Sequence, residues 1–195
     1  MDIYSFRKIN KNYSDDIIEI WSSALPNNIY AIFGREIINI YINKYFSKSD
    51  SLAIGAFKKN KLIGFVMYGQ DNEINSFIIK KHFFLILKKT IFSIIRDKRN
   101  LFFLLNVFIF FIFFNKSFCD KRSIELLIIC ILPNFSNIGV GTELLRYSNK
   151  LIKKKYKSIY VKTLSKEQQN INFYNKNNYE IINLEFGRVY LKKQF

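Results

Sequence analysis

The segment IELLIICILPNFSNIGVGTELL, residues 124–145, decides the fold. It begins with IELLIICIL, a continuous apolar run of the length expected for a central strand that is buried on both faces of a sheet. A proline ends this run, two glycines follow one residue apart, and an apolar pattern with helical spacing then begins near Val140. The segment therefore predicts a strand, a tight turn and a helix in direct succession.

Gly139 and Gly141 lie at the predicted junction between this strand and this helix. The first N–H groups of a helix have no partner inside the helix, and they carry a partial positive charge that attracts phosphate. A phosphate approaches such a backbone most closely where β-carbons are missing. The pattern lacks the third glycine of a dinucleotide-binding fingerprint and the Gly-Lys-Ser/Thr of a P-loop. By itself it leaves open whether the turn binds phosphate or is only structural.

Patterns on both sides of this segment predict a single mixed α/β domain over residues 1–195. Alternating or short continuous apolar runs indicate strands, and apolar residues spaced by three or four indicate helices. In chain order, the patterns predict a strand at 3–8, helices at 15–24 and 31–46, a β-hairpin of 51–57 and 61–69, a strand at 124–132, a helix at 140–154, a strand at 158–164, a short helix at 168–178, and strands at 179–186 and 188–195.

An apolar and basic insertion at about 74–119 separates the hairpin from the central strand. Within 101–114 only Asn106 is polar, but this run is shorter than the roughly 20 apolar residues that a membrane-spanning helix needs. We therefore expect two helices, at 80–97 and 99–115. Their role stays open between a lid over or a wall of a substrate site, a contact of 80–116 with an anionic membrane surface, a buried hairpin and a homodimer interface.

The composition narrows the range of partners. Lysine and arginine number 31 against 15 for aspartate and glutamate, a balance that suits nucleic acid, an anionic membrane or a polyanionic small molecule. The lysines are scattered and accompany no nucleic-acid-binding motif, so we expect no specific nucleic-acid partner. Cys119, Cys130 and His82 form no metal-ligand pattern, so no metal is expected. Because the first residues lack an apolar signal core, we expect a cytoplasmic protein, with peripheral contact at the inner membrane surface left open.

The segment around the glycines resembles the GNAT superfamily of acetyl-CoA-dependent N-acetyltransferases. In that family a strand ends in a Val-x-Pro-like element, and a Gln/Arg-x-x-Gly-x-Gly/Ala loop then starts a helix; here these are ILP at 131–133 and SNIGVG at 136–141. A short helix with an aromatic-Tyr pair, followed by a strand, corresponds to FY at 173–174 and NY at 178–179. The resemblance, most specific over 124–186, implies a mixed, mostly antiparallel central sheet flanked by helices.

The resemblance also implies roles for individual residues. Tyr174 would act as the general acid that protonates the leaving thiolate of acetyl-CoA. The backbone of Ile129, Cys130 and Ile131 would pair with the pantetheine arm as with an added strand. Asn170 would replace the asparagine of the family, whose own position is occupied here by Glu167. The N–H groups that would hold the pyrophosphate belong to Asn137, Ile138, Gly139, Val140, Gly141 and Thr142.

Glu125, at the start of the central strand, is the candidate general base for an amine acceptor, because related enzymes often use a glutamate on this strand. The alternative is a strand-end charge paired with Lys121 or Arg122. Ribosomal-protein acetyltransferases use a glutamate on the following strand as the general base, and Lys162 occupies the matching position here. This difference argues against an N-terminal peptide as acceptor. We expect direct acetyl transfer to a small-molecule amine or amino sugar in a ternary complex. There are two alternatives: a protein N-acetyltransferase, and a non-catalytic protein of the same fold that binds a membrane surface.

Overall fold

A seven-stranded mixed sheet organises the chain, which the computed structural model describes over residues 4–69, 71–98, 101 and 122–195. The strands are β1 (Ser5–Ile9), β2 (Leu52–Lys58), β3 (Lys61–Gly69), β4 (Ser123–Ile131), β5 (Ser158–Leu164), β6 (Glu180–Glu185) and β7 (Arg188–Gln194). Their spatial order is β1-β2-β3-β4-β5-β7-β6. Among these strands β4 and β5 run parallel and the other neighbours run antiparallel, which confirms the expected mixed and mostly antiparallel sheet.

Helices cover both faces of this sheet and divide the interior into two apolar cores. One core joins the sheet to the helices of the N-terminal half and includes Trp21, Tyr45 and Phe65. The other core lies under the helices that follow β4 and includes Leu144 and Tyr174. The helices are α1 (Ser14–Ala24), α2 (Ile29–Phe33), α3 (Arg35–Phe46), α4 (Asp71–Lys81), α5 (Phe83–Arg96), α6 (Val140–Ile152) and α7 (Gln168–Lys176).

Two of the expected helices differ from the structure. The helix expected at 31–46 is divided into α2 and α3 at Gly34, whose φ of 93° only glycine adopts without strain. The helix expected at 80–97 is also divided, because α4 ends at Lys81 and α5 begins after His82. The helix expected at 99–115 and Cys119 lie outside the described residues. Within the described part of the chain, no helix has the length and apolar character needed to cross a membrane.

Strand β4 contains a β-bulge at Leu127. Ile128 pairs with Met67 of β3, whereas the next residue of β3 pairs with Leu126, so Leu127 is the extra residue. Leu127 and Ile128 both pack against the core of α1 and α3, while Leu126 belongs to the core under α6. The bulge therefore reverses the alternation of side chains between the two faces of the sheet in the second half of β4.

Candidate functional site

A gap opens in the sheet directly after this bulge. The pairing of β4 with β5 ends at Leu126 and Val161, although β4 continues to Ile131 and β5 continues to Leu164. Ile129 and Ile131 are half-buried along this edge, and Cys130 is buried. An open strand edge of this kind can bind an extended ligand through backbone hydrogen bonds. The predicted contacts of these residues with a pantetheine arm fit this position and stay a prediction.

Cys130 itself is a core residue, as its sequence context indicated. It is 2% exposed and belongs to the core of α1 and α3. Burial raises the pKa of the Cys130 thiol well above its ordinary value, because the apolar surroundings disfavour a thiolate. A protonated, enclosed thiol is a poor nucleophile, so Cys130 contributes packing rather than covalent chemistry.

The turn after β4 exposes backbone at the start of α6. Asn137 and Gly139 both have positive φ, at 62° and 93°, and Ile138 between them is 58% exposed. The N–H of Glu143 donates to the carbonyl of Gly139 at 3.0 Å, which is the first hydrogen bond of the helix. The N–H groups of the preceding residues therefore lack partners inside α6. The turn, here defined as residues 136–142, therefore presents N–H groups of the kind that bind anions, and its predicted contact with a pyrophosphate stays a prediction.

The two glycines of this turn differ in backbone conformation and in surroundings. Gly139 is in the left-handed region, and a Cβ added to it would meet nothing within 4 Å, so the space above it is open. A Cβ added to Gly141 would instead lie 3.4 Å from the ring of Phe173 and 3.8 Å from Ile131 Cγ1. Gly139 thus permits the backbone turn, whereas Gly141 has room for a methyl group in ordinary contact with Phe173 and Ile131. The sequence interpretation had given both glycines a single reason.

Three lysines lie near Phe135, the residue before the turn, and the acidic residue that follows the turn is paired. Glu143 forms an ion pair with Arg146 at 2.7 Å on the exposed side of α6. The Nζ of Lys58, at the end of β2, lies 5.4 Å from the centroid of the Phe135 ring. Lys59 and the nearby Lys61 line a depression together with Phe135. These lysines raise the local concentration of anions beside the turn.

Tyr174 lies on α7 with 7% of its surface exposed. Its ring packs against Phe173 and Tyr179, with centroids 5.4 and 5.5 Å away. Burial raises the pKa of Tyr174, and the electrostatic effect of Cys130 raises it further. Tyr174 shares its apolar core with Ile129 and Ile131 of β4. A raised pKa keeps the phenol protonated at neutral pH, the state in which it can donate a proton. Its assignment as the general acid stays a prediction.

Tyr68, Tyr174 and Tyr179 are buried together in the core under α6. This cluster was not predicted from the sequence. The Tyr68 hydroxyl lies 2.7 Å from Ser148 Oγ. Ser148 donates its own proton to the carbonyl of Leu145 at 3.0 Å, so Tyr68 is the donor in this pair. The Tyr179 hydroxyl is buried without a hydrogen-bond partner in the described part of the chain. The only sign of this cluster in the sequence is Ser148, a polar residue on the apolar side of α6.

Glu125 is 8% exposed and contacts a neighbouring strand rather than solvent. Its Oε1 lies 2.9 Å from the Nζ of Lys162 on β5, a partner that the sequence did not suggest. Lys121, one of the partners considered, lies outside the described residues. Tyr190 of β7 is the strand partner of Lys162. Burial raises the pKa of Tyr190, although the positive charges of Arg188 and Lys162 act in the opposite direction. Glu125, Lys162 and Tyr190 form a polar group on one face of the sheet.

The positions near α7 agree in part with the sequence interpretation. Asn178, which precedes the closing strand, has a φ of 63°, a left-handed backbone that asparagine tolerates better than most residues. Asn170 is exposed on the first turn of α7, and its contact with a bound ligand stays a prediction.

Comparisons with known proteins agree with this arrangement. A PaiA N-acetyltransferase from Thermoplasma acidophilum, solved in complex with coenzyme A, is similar over 99% of both chains, with 17% sequence identity and a TM-score of 0.61. PH1933 from Pyrococcus horikoshii OT3 is similar over 99% of both chains, with 15% identity and a TM-score of 0.62. The ribosomal-protein-S18-alanine N-acetyltransferase from Escherichia coli covers 98% of this chain and 94% of its own, with 8% identity and a TM-score of 0.61.

At these identities the solved structures establish a shared fold. No curated protein sequence matches the chain. The sequence model described as the Acetyltransferase (GNAT) family matches residues 14–179, which is most of the chain. The chain belongs to the GNAT family of acetyltransferases.

Proposed function

We propose that this protein transfers the acetyl group of acetyl-CoA to the amine of a small molecule, by direct attack in a ternary complex. The observation that carries the proposal is the alignment of three features along one strand. Tyr174 packs in the same core as Ile129 and Ile131 on the open edge of β4, and the turn of residues 136–142 follows the end of this strand. An extended ligand with a phosphate at one end and a reactive group at the other fits such a path.

The residues present suit acetyl-CoA in shape and charge. Backbone groups of Ile129, Cys130 and Ile131 would bind the pantetheine arm along the open edge. The N–H groups of residues 137–142 would hold the pyrophosphate, with open space above Gly139 for its approach. The similar fold of a protein solved in complex with coenzyme A supports this assignment.

The chemistry needs one acid and one base. Acetyl-CoA supplies an activated acetyl group as a thioester. Tyr174 donates its phenolic proton to the departing sulfur, and its burial keeps that proton in place at neutral pH. Glu125 accepts the proton of the attacking amine, directly or through water, while the Lys162 ammonium at 2.9 Å fixes the position of its carboxylate.

The charge of the protein favours an acceptor that carries negative groups in addition to its amine. The chain has a net charge of +16, and Lys162 places a positive charge beside the candidate base. Such a field concentrates anionic ligands and disfavours cationic ones. A nucleotide-linked amino sugar meets this requirement, whereas the protonated N-terminus of a basic peptide does not.

The test combines ligand-induced stabilisation with turnover. We expect acetyl-CoA to raise the melting temperature, and a screen of amines, including amino sugars and short peptides, to release coenzyme A. The Tyr174→Phe variant should keep the thermal shift but lose about 100- to 10,000-fold in turnover, the usual contribution of a positioned acid. Absence of any thermal shift at sub-millimolar acetyl-CoA would overturn the proposal. Turnover with peptides alone would overturn the assignment of the acceptor.

A further inference from the structure

Helix α5 turns its most apolar side toward solvent. Phe84 is 82% exposed, Ile95 75% and Phe92 67%, and Ile91 and Leu87 lie on the same side at 51% and 44%. Large apolar side chains are ordinarily buried, and a contiguous exposed group of them marks an interaction surface. These five residues are here named the outward side of α5.

The opposite side of α5 attaches the helix to the protein. Leu85, Ile86 and Ile94 pack against a small cluster formed by Phe33 and Ile37. Polar residues accompany them, since Ser93 is buried and Lys89 forms an ion pair with Glu36 of α3 at 3.2 Å. The inward side is therefore the more polar of the two, and these contacts hold the outward side toward solvent.

Basic residues surround the outward side. Lys88 projects from the same side of the helix, while Lys80 and Lys81 end α4 and Lys98 follows α5; all four are exposed. Helix α5 contains no acidic residue. An apolar side accompanied by lysines is typical of helices that lie in the plane of a membrane interface, where lysine stems reach outward to anionic headgroups.

We propose that the outward side of α5 binds the surface of a bilayer that contains anionic lipids. Charge favours this occupant over a second copy of the chain. A symmetric contact through this side would bring the lysines of two copies together, and like charges at an interface cost affinity. The phosphates of an anionic bilayer would instead neutralise these lysines while its apolar region accepts the phenylalanines.

The experiment measures co-sedimentation of the full chain with vesicles of phosphatidylcholine alone and of phosphatidylcholine with phosphatidylglycerol. We expect binding to the anionic vesicles only. A Phe84→Gln/Phe92→Gln variant should bind on the order of 10- to 100-fold more weakly, because it removes the two aromatic anchors. Its matched control is Ile182→Gln/Leu184→Gln on β6, where the two side chains are 45% and 66% exposed. This control should bind like the unmodified protein.

A second pair of variants tests the charge. Each lysine near an anionic surface contributes on the order of fivefold in affinity, so removing three should weaken binding by roughly 100-fold. The substitutions are Lys80→Gln, Lys81→Gln and Lys88→Gln in the test variant, and Lys153→Gln, Lys154→Gln and Lys155→Gln in the control of equal charge.

Three outcomes would overturn the proposal. The first is no binding to anionic vesicles, and the second is binding that falls equally in the test and control variants. The third is a dimer in sedimentation velocity that Phe84→Gln/Phe92→Gln abolishes while vesicle binding is absent, which would make this side an interface between copies. The melting temperature of each variant without ligand reports separately on the fold, so this result does not depend on the proposed catalytic function.

Discussion

The turn that precedes α6 offers a substitution whose effects on stability and on ligand binding can be separated. Gly139 has a φ of 93°, and a methyl group added to it would meet no atom within 4 Å. The penalty for Gly139→Ala is therefore conformational and not steric. An L-residue in the left-handed region costs about 1–2 kcal/mol relative to glycine. For a domain of this size each kcal/mol lowers the melting temperature by about 2–4 °C.

We thus expect Gly139→Ala to melt about 2–8 °C lower than the unmodified protein. Gly139→Asn should lose less, because asparagine tolerates the left-handed region better. Gly141→Ala should be neutral or stabilising, since its Cβ would make an ordinary 3.4 Å contact with Phe173 and alanine favours a helix by up to about 1 kcal/mol. Substitution by alanine should therefore lower the stability at Gly139 and leave it unchanged or raise it at Gly141.

Scanning fluorimetry with and without acetyl-CoA completes the test. A ligand at 100 times its dissociation constant stabilises a protein by about 2.7 kcal/mol, and Gly139→Val should remove this gain because its branched side chain occupies the open space above the turn. Gly34→Val is the control at a glycine outside the turn, since Gly34 also has a φ of 93° and open surroundings but lies before α3, with a ψ of 174° rather than −10°. It should lose stability and keep the acetyl-CoA shift. A stable Gly139→Ala, or a full shift in Gly139→Val, would refute the reasoning.

Three further predictions concern buried polar groups. Ser148→Ala leaves the Tyr68 hydroxyl without its acceptor and should cost about 1–3 kcal/mol in urea unfolding, and adding Tyr68→Phe should recover part of this loss; strictly additive costs would contradict the hydrogen bond. Burial raises the pKa values of Tyr68, Tyr174 and Tyr179, so above pH ~10 the unfolded chain loses phenolic protons that the folded chain keeps. The unfolding free energy should then fall with rising pH by about 1.4 kcal/mol per unit for each tyrosine, and a smaller slope in Tyr179→Phe than in the unmodified protein checks the assignment. Glu125→Gln should lower turnover by about 100-fold or more without changing the acetyl-CoA shift, whereas unchanged turnover would exclude Glu125 as the base.

Local patterns predicted the elements nearest the turn well. The strand expected at 158–164 coincides with β5, and those expected at 124–132 and 140–154 differ from β4 and α6 by two residues or fewer at each end. Each is specified by its own residues, through apolar spacing, a proline and a glycine. Gly34 also marks the boundary between α2 and α3, but the apolar spacing on both sides continues as in a single helix. The boundary between α4 and α5 at His82 has no glycine or proline to mark it.

Features that depend on two strands at once could not be predicted in this way. The bulge at Leu127 exists only relative to the register of β3, and the gap after Leu126 exists only relative to the direction of β5. The contact of Glu125 with Lys162 requires the same information, because the two residues meet only when β4 and β5 are neighbours. Tyr174 was identified because its neighbours form a compact motif along the chain.

The parallel contact between β4 and β5 has a mechanical consequence. Residues 123–126 and 158–161 join the two parts of the sheet by four residue pairs, fewer than join any other two neighbouring strands of the described sheet. This short seam is where the sheet should yield first under strain. The Glu125–Lys162 ion pair crosses the seam, so a small spreading of the strands would pull the ammonium away from the carboxylate.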